Sequence, residues 1–182
     1  MNNVFKVLLM AVAYLLIFIL GSTSGLIHPA CYAYIGALLP LLSAFVYLRT
    51  AGIIKGFGAA TALNGFILVL FLIAGEADIA FILGIVVLTA LAELLRYLFK
   101  SDRTKGIRWS FVPFALSFFA YTAHWWTDTQ GSLAAAVEEM RPGYDQLMIP
   151  VIDNVPVLIV VVLLTIPVSI LAMRLAEKVL TR

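Results

Sequence analysis

Residues 120–129 read AYTAHWWTDT, so a tyrosine, a histidine, two tryptophans and an aspartate fall close together. An imidazole donates or accepts a hydrogen bond near neutral pH. An indole offers a large flat face with one N–H donor, and a carboxylate only accepts. These groups suit capture of a flat, partly polar molecule. Bond-breaking chemistry needs a nucleophile beside a base, and the one candidate pairing, Ser24 of GSTSG with His124, is weak, since Ser24 falls in an outer loop rather than inside a helix and nothing in the sequence pairs the two. No G-x-x-x-x-G-K-[ST] pattern occurs, so the chain does not hydrolyse nucleotides itself. Two histidines and one cysteine, Cys31, are too few and too scattered for a metal site. The expectation is a non-enzymatic protein without cofactor or metal.

The elements that hold these residues follow from composition. Of 182 residues 63% are hydrophobic and 12% charged, against roughly 45–50% and about 25% in soluble domains. That much apolar surface calls for lipid as solvent. A spanning helix takes about 20 apolar residues, which predicts six: Val4–Leu20, Tyr32–Leu48, Phe57–Ala74, Ile79–Phe99, Trp109–Trp126 and Val155–Ala176. Lipid-exposed backbone must satisfy its own hydrogen bonds, so each is expected to be helical. The fold class is therefore all-α, one six-helix transmembrane domain over 1–182. The first run is read as a retained helix, because it is long enough to span, with a cleaved secretory signal as the alternative.

Charge sets the orientation. In this layout eleven of the twelve Lys and Arg residues fall on one side and only Arg141 on the other. The positive-inside rule then places both termini in the cytoplasm, in a prokaryotic cell membrane. The same bias makes the basic residues a topology signal, not a nucleic-acid surface. Glu76, Asp78, Asp128, Glu138, Glu139, Asp145 and Asp153 lie outside.

On a straight fifth helix turning about 100° per residue, Ser117, Tyr121, His124 and Asp128 share a stripe roughly 60° wide. Trp125 sits on its edge, whereas Trp126 falls about 140° from Tyr121 and reads as a lipid anchor. Polar groups at membrane depth face a cavity or the bundle interior. The stripe is read as a pocket wall, with an interhelical hydrogen-bond seam as the alternative. Asn64, in the small-residue-rich GFGAATALNGF, either touches a ligand or pairs with a neighbouring helix. Glu93 and Arg96 in TALAELLRYLF are three apart, which suits an ion pair near the cytoplasmic interface or contact with a partner subunit.

The long segment from Thr127 to Asn154 is expected to form a covering loop with a short helix capped by Ser132 and ended by Pro142 and Gly143. Asn154 is expected to cap the last span, with Pro156 in its first turn. GSTSGLIHPACYAY, carrying His28, lies on the same side.

Six helices with both ends inside, TALAELLRYLF running into KSDRTKG, a Trp-rich end to the fifth helix and AVEEMRPGYDQLM before the last give the chain a recognisable order. It resembles the substrate-capture subunits (S components) of energy-coupling factor (ECF) transporters, in particular the Trep_Strep or MptD-like branch. The resemblance implies import of a small organic micronutrient, a vitamin or precursor, bound on the extracellular side under the loops after helices one, three and five. It also implies association with a transmembrane coupling subunit and a pair of ATPase subunits, and toppling in the lipid bilayer to release cargo inwards. Substrate contacts are then expected at Tyr121, His124, Trp125, Asp128 and Asn64, with docking at Ala11, Ala13, Glu93 and Arg96. The chain departs from the A-x-x-x-A docking pattern, since Leu15 follows Ala11 and Ile17 follows Ala13 at that spacing. The start, MNN, also lacks the early histidine of related nickel and cobalt uptake proteins, which argues against a metal substrate.

Two other classes fit the residues. A structural or accessory membrane protein would use its polar groups for packing alone. A stand-alone channel or exporter would need polar residues continuing to the cytoplasmic side, whereas the stripe stops near Ser110 and Ser117.

Overall fold

The computed structural model describes residues 2–180, which are almost wholly helical. In chain order the α-helices are α1 (Asn3–Thr23), α2 (Pro29–Tyr34), α3 (Pro40–Ile53), α4 (Ala59–Ala74), α5 (Ile79–Leu98) and α6 (Arg103–Ala115), then α7 (Ser117–Thr122), α8 (His124–Thr127), α9 (Thr129–Glu139), α10 (Tyr144–Asp153) and α11 (Val155–Leu180). Segments containing α1, α5 and α11 are each long and apolar enough to cross a bilayer. The pair Pro29–Ala37 and Pro40–Ile53, bent by 43°, qualifies as one broken span, and α4 is a shorter apolar helix. Leu16, Ile73, Leu83, Val86 and Leu163 remain exposed on the outside of the bundle, where lipid replaces water as their solvent.

Local chemistry sets the helix ends. Asn2, Asp78, Asp102 and Asn154 each accept a hydrogen bond from a backbone N–H in the first turn of α1, α5, α6 and α11. These side chains satisfy donors that the helix itself leaves orphaned. His28 does the same for α2, its Nδ1 accepting from Ala30 N at 3.1 Å, so its imidazole is committed to capping. Gly75 ends α4 with φ 77°, a left-handed conformation that glycine adopts without steric cost.

Two expected spans are not straight. The second bends ahead of Pro40, which has no N–H to continue the ladder. The fifth is divided into α6, α7 and α8. Pro113 removes one donor, and the backbone then tightens to three-residue hydrogen bonds. Leu116 N donates to Pro113 O at 3.2 Å and Phe119 N to Leu116 O at 3.0 Å, and Trp126 N donates to Ala123 O at 2.9 Å. Such turns advance about 120° per residue, so the uniform 100° wheel does not hold across the break. In the Thr127–Asn154 segment, Asp128 rather than Ser132 caps α9, accepting from Gly131 N at 3.2 Å. A second helix, α10, follows that the sequence reading did not anticipate.

The main core packs α1, α3, α4, α5, α6, α7 and α11 around Phe18, Tyr47, Phe81, Phe111 and Phe114. A second, smaller core of Tyr32, Trp125, Ala136, Tyr144, Met148 and Ile152 joins α2 and α8 to α9 and α10. Tyr121 packs against both cores. The molecule thus has a basic end, where Arg108 and Glu177 tie α6 to α11, and an acidic end beneath α9 and α10.

Candidate ligand-binding cavity at the acidic end

A cavity of about 500 Å³ lies where the two cores meet. That is within the roughly 300–1,000 Å³ of small-molecule sites. Tyr121, His124, Trp125 and Asp128 all line it. The broken helix still brings them together, because α7 and α8 both remain packed along α5. The approach of α7 to α5 depends on small residues: a Cβ placed on Gly84 would sit 2.6 Å from the Cβ of Ala120.

The walls are aromatic. The Tyr32 ring stands edge-on to Tyr121 at 6.0 Å and to Trp125 at 6.4 Å. His124 lies 4.9 Å from Trp125, and Tyr144 lies 6.5 Å from it on the far side. Below, Tyr121 contacts Phe18 and Phe71 at 5.2 Å each, with Phe81 and Phe118 slightly farther. This aromatic layer forms a dense floor.

The polar groups divide into those already occupied and those left over. His124 Nδ1 is 2.8 Å from Ser132 Oγ, and that hydroxyl also reaches the His124 carbonyl at 3.1 Å. With the single Ser132 proton on the carbonyl, Nδ1 is the donor and a neutral ring keeps Nε2 as an acceptor. Asp128 and Asp78 are spent on helix N-termini. Glu76 and Glu139 complete an acidic lining that contains no Lys or Arg among the described residues. Trp125 is only 3% exposed, and its Nε1–H has no hydrogen-bond partner among the described residues. The Tyr32 hydroxyl lies near it, outside hydrogen-bonding geometry. A buried donor left unpaired costs roughly 1–3 kcal/mol, so an acceptor that reached this N–H in the cavity wall would be stabilised. Burial pushes the Tyr144 phenol above its ordinary range, which keeps the hydroxyl neutral.

Other sequence-derived candidates lie elsewhere. Asn64, 1% exposed, sits below the aromatic floor. Its Nδ2 donates to Thr89 Oγ1 and Ser117 Oγ at 2.8 Å each, and its Oδ1 accepts from Tyr14 at 3.3 Å. It lies outside the cavity lining, and with it Ser117, whose hydroxyl belongs to this seam. Trp126, expected against lipid, instead donates through Nε1 to the Ile152 carbonyl at 3.1 Å and fastens α8 to α10. Among the intended docking residues, Ala11 is buried and Ala13 partly buried against the core. Glu93 and Arg96 do not form the expected ion pair. Glu93 is turned to the start of α4, and Arg96 Nη2 points to the Ile54 carbonyl. Sequence reasoning missed Tyr32, Ser132 as a partner of His124, and Tyr144. Two of these are aromatics two or three residues after a proline, in HPACY and RPGY, and no local signal ties either ring to the cavity.

The family model for a hypothetical bacterial integral membrane protein (Trep_Strep) matches residues 2–182. Comparison with curated proteins and with solved structures returns no match. Matched over nearly its whole length and carrying several apolar helices, the chain is a multi-pass cell-membrane protein.

Proposed function

From the premise that the chain belongs to the Trep_Strep family of bacterial integral membrane proteins, we propose that it is a substrate-capture subunit of an ATP-driven importer of the ECF type. In this reading the bundle crosses the membrane six times with both termini in the cytoplasm, as the one-sided Lys and Arg distribution favours. The acidic end then faces outwards, and its cavity receives a small organic micronutrient. The single observation that carries the proposal is the unpartnered Trp125 N–H, set in an aromatic-walled cavity beneath α9 and α10. Tyr32, Tyr121 and Trp125 would hold a flat ligand by their faces and edges. Trp125 Nε1 and His124 Nε2 would supply one donor and one acceptor.

The floor favours capture over conduction. A channel needs a polar route onwards, whereas Phe18, Phe71, Phe81 and Phe118 close beneath Tyr121. Below them the Asn64 groups are satisfied by one another. Uptake would then require movement of the whole subunit against a coupling protein driven by an ATPase pair. Affinity purification of the tagged chain, under conditions that keep membrane complexes intact, tests this. Recovery of a transmembrane coupling subunit with two ATPase subunits is expected. Recovery of the chain alone contradicts the importer reading.

A further inference from the structure

At the opposite, basic end a second cavity of about 180 Å³ opens between the end of α3, the end of α5 and the start of α6. It is below the size range of sites that enclose whole organic molecules, but it has room for a phosphate group. Lys55, Arg96, Lys100 and Arg103 line it, and no carboxylate does among the described residues. Arg96 is 6% exposed. Its Nη1 is buried without a hydrogen-bond partner among the described residues, and Nη2 makes one long contact of 3.5 Å to Ile54 O.

The neighbouring groups do not resolve that charge. Glu93, one turn back on α5, is committed through both oxygens to Gly58 and Thr61. Asp102 caps α6 through Lys105 N. Helix C-terminal carbonyls offset part of the positive charge, and one of them, Ala51 O, already holds Arg103 Nη2 at 3.2 Å. Lys100 lies over the Tyr97 ring at 4.8 Å. The Tyr47 hydroxyl lies near the guanidinium but is bonded to Ser110 Oγ at 2.8 Å, and a buried Nη1 left without an acceptor among the described residues, beside three further cations, is costly in a low-dielectric interface.

We propose that this cavity binds a phosphate oxyanion, supplied by the headgroup of an anionic phospholipid in the leaflet at the basic end. Arg96 Nη1 would donate to one phosphate oxygen from below, while Lys55, Lys100 and Arg103 surround the others. Basic pockets between membrane helices recognise lipid headgroups by this means, and the exposed apolar side chains of Phe57, Leu94 and Leu98 nearby leave a path for the acyl chains. The site is independent of the cavity at the acidic end and of any transport role.

The test uses the full chain, delipidated in mild detergent and then given phosphatidylglycerol, phosphatidylcholine or inorganic phosphate. Native mass spectrometry counts bound lipid, and thermal unfolding reports stabilisation. Retention of phosphatidylglycerol over phosphatidylcholine by roughly tenfold is expected, equivalent to about 1.4 kcal/mol. Because Arg96 is buried and its replacement endangers folding, the decisive variant is the exposed pair Lys55→Gln with Lys100→Gln. It should abolish the preference while the unfolding temperature in phosphatidylcholine stays unchanged. The control pair Lys6→Gln with Arg49→Gln, in a separate basic groove lined by residues of α1, α3, α6 and α11, should retain it. Stabilisation by inorganic phosphate alone would assign the site to a free anion. Equal retention of both lipids with no response to phosphate, or loss of the preference in the control pair as well, would overturn the proposal.

Discussion

The carboxylate of Glu93 caps a helix to which it does not belong. From α5 it accepts Gly58 N at 2.9 Å and Thr61 N at 3.0 Å, with the Thr61 hydroxyl at 3.2 Å, at the start of α4. Glu93 is 2% exposed, so these N–H groups have no water to fall back on. Glu93→Ala is expected to destabilise the protein by about 1–3 kcal/mol. Glu93→Gln, which keeps one acceptor oxygen, should cost less. Thermal unfolding in detergent checks the order. An alanine variant as stable as wild type would remove the cap from the account.

Asn64 ties four helices, α1 through Tyr14, α5 through Thr89 and α7 through Ser117, to its own α4. Interhelical hydrogen bonds in membranes average about 0.6 kcal/mol each, with a maximum near 1.7. Asn64→Ala should therefore lower stability by roughly 1–3 kcal/mol in total. Ligand affinity per folded molecule should be unchanged, because Asn64 lies outside the cavity lining. Unfolding and ligand titration on the same preparation separate the two effects, and a fall in affinity at constant stability would place Asn64 in the site.

The contact between Gly84 and Ala120 leaves no space for a methyl group. Gly84→Ala is expected to destabilise by about 1–3 kcal/mol through overpacking. Ala120→Gly in the same chain should recover part of that loss. A double-mutant cycle measures the coupling, and zero coupling would mean the helices are farther apart than described.

Trp126 holds α10 through one hydrogen bond to Ile152 O. Trp126→Phe keeps an aromatic, though smaller, side chain and removes the donor. Hydrogen exchange of residues 144–153 should accelerate, while α1 and α5 remain as protected as before. Unchanged exchange in α10 would show that the second core alone holds it.

What sequence alone disclosed was local. Asn154 caps the last helix as its side chain and the following Pro156 predict. The apolar runs locate α1, α5 and α11 because length and composition suffice for them. Of the stripe of Ser117, Tyr121, His124 and Asp128 with Trp125 on its edge, all but Ser117 line one cavity, since those residues lie within a few turns of each other, whereas Ser117 belongs to the Asn64 seam. Information about neighbours was missing. Nothing local tells that Glu93 reaches Thr61, or that Trp126 meets Ile152 rather than lipid. Tyr32 and Tyr144 join the site only because α2 and α10 pack together. The wheel also assumed one constant rotation per residue, which the tightened turns at Leu116 and Ala123 break.

Native mass spectrometry of the intact chain, released gently from mild detergent, addresses the capture cavity most directly. Trp125 Nε1 has no hydrogen-bond partner among the described residues, so Trp125→Phe removes a donor the fold does not use and keeps an aromatic ring in the second core. The wild-type chain is expected to carry one small organic molecule. Trp125→Phe should weaken its retention by roughly tenfold, about 1.4 kcal/mol, and Asn64→Ala should not. A bare wild-type mass under conditions that preserve weakly bound lipid, or equal retention in Trp125→Phe, would contradict capture at this site.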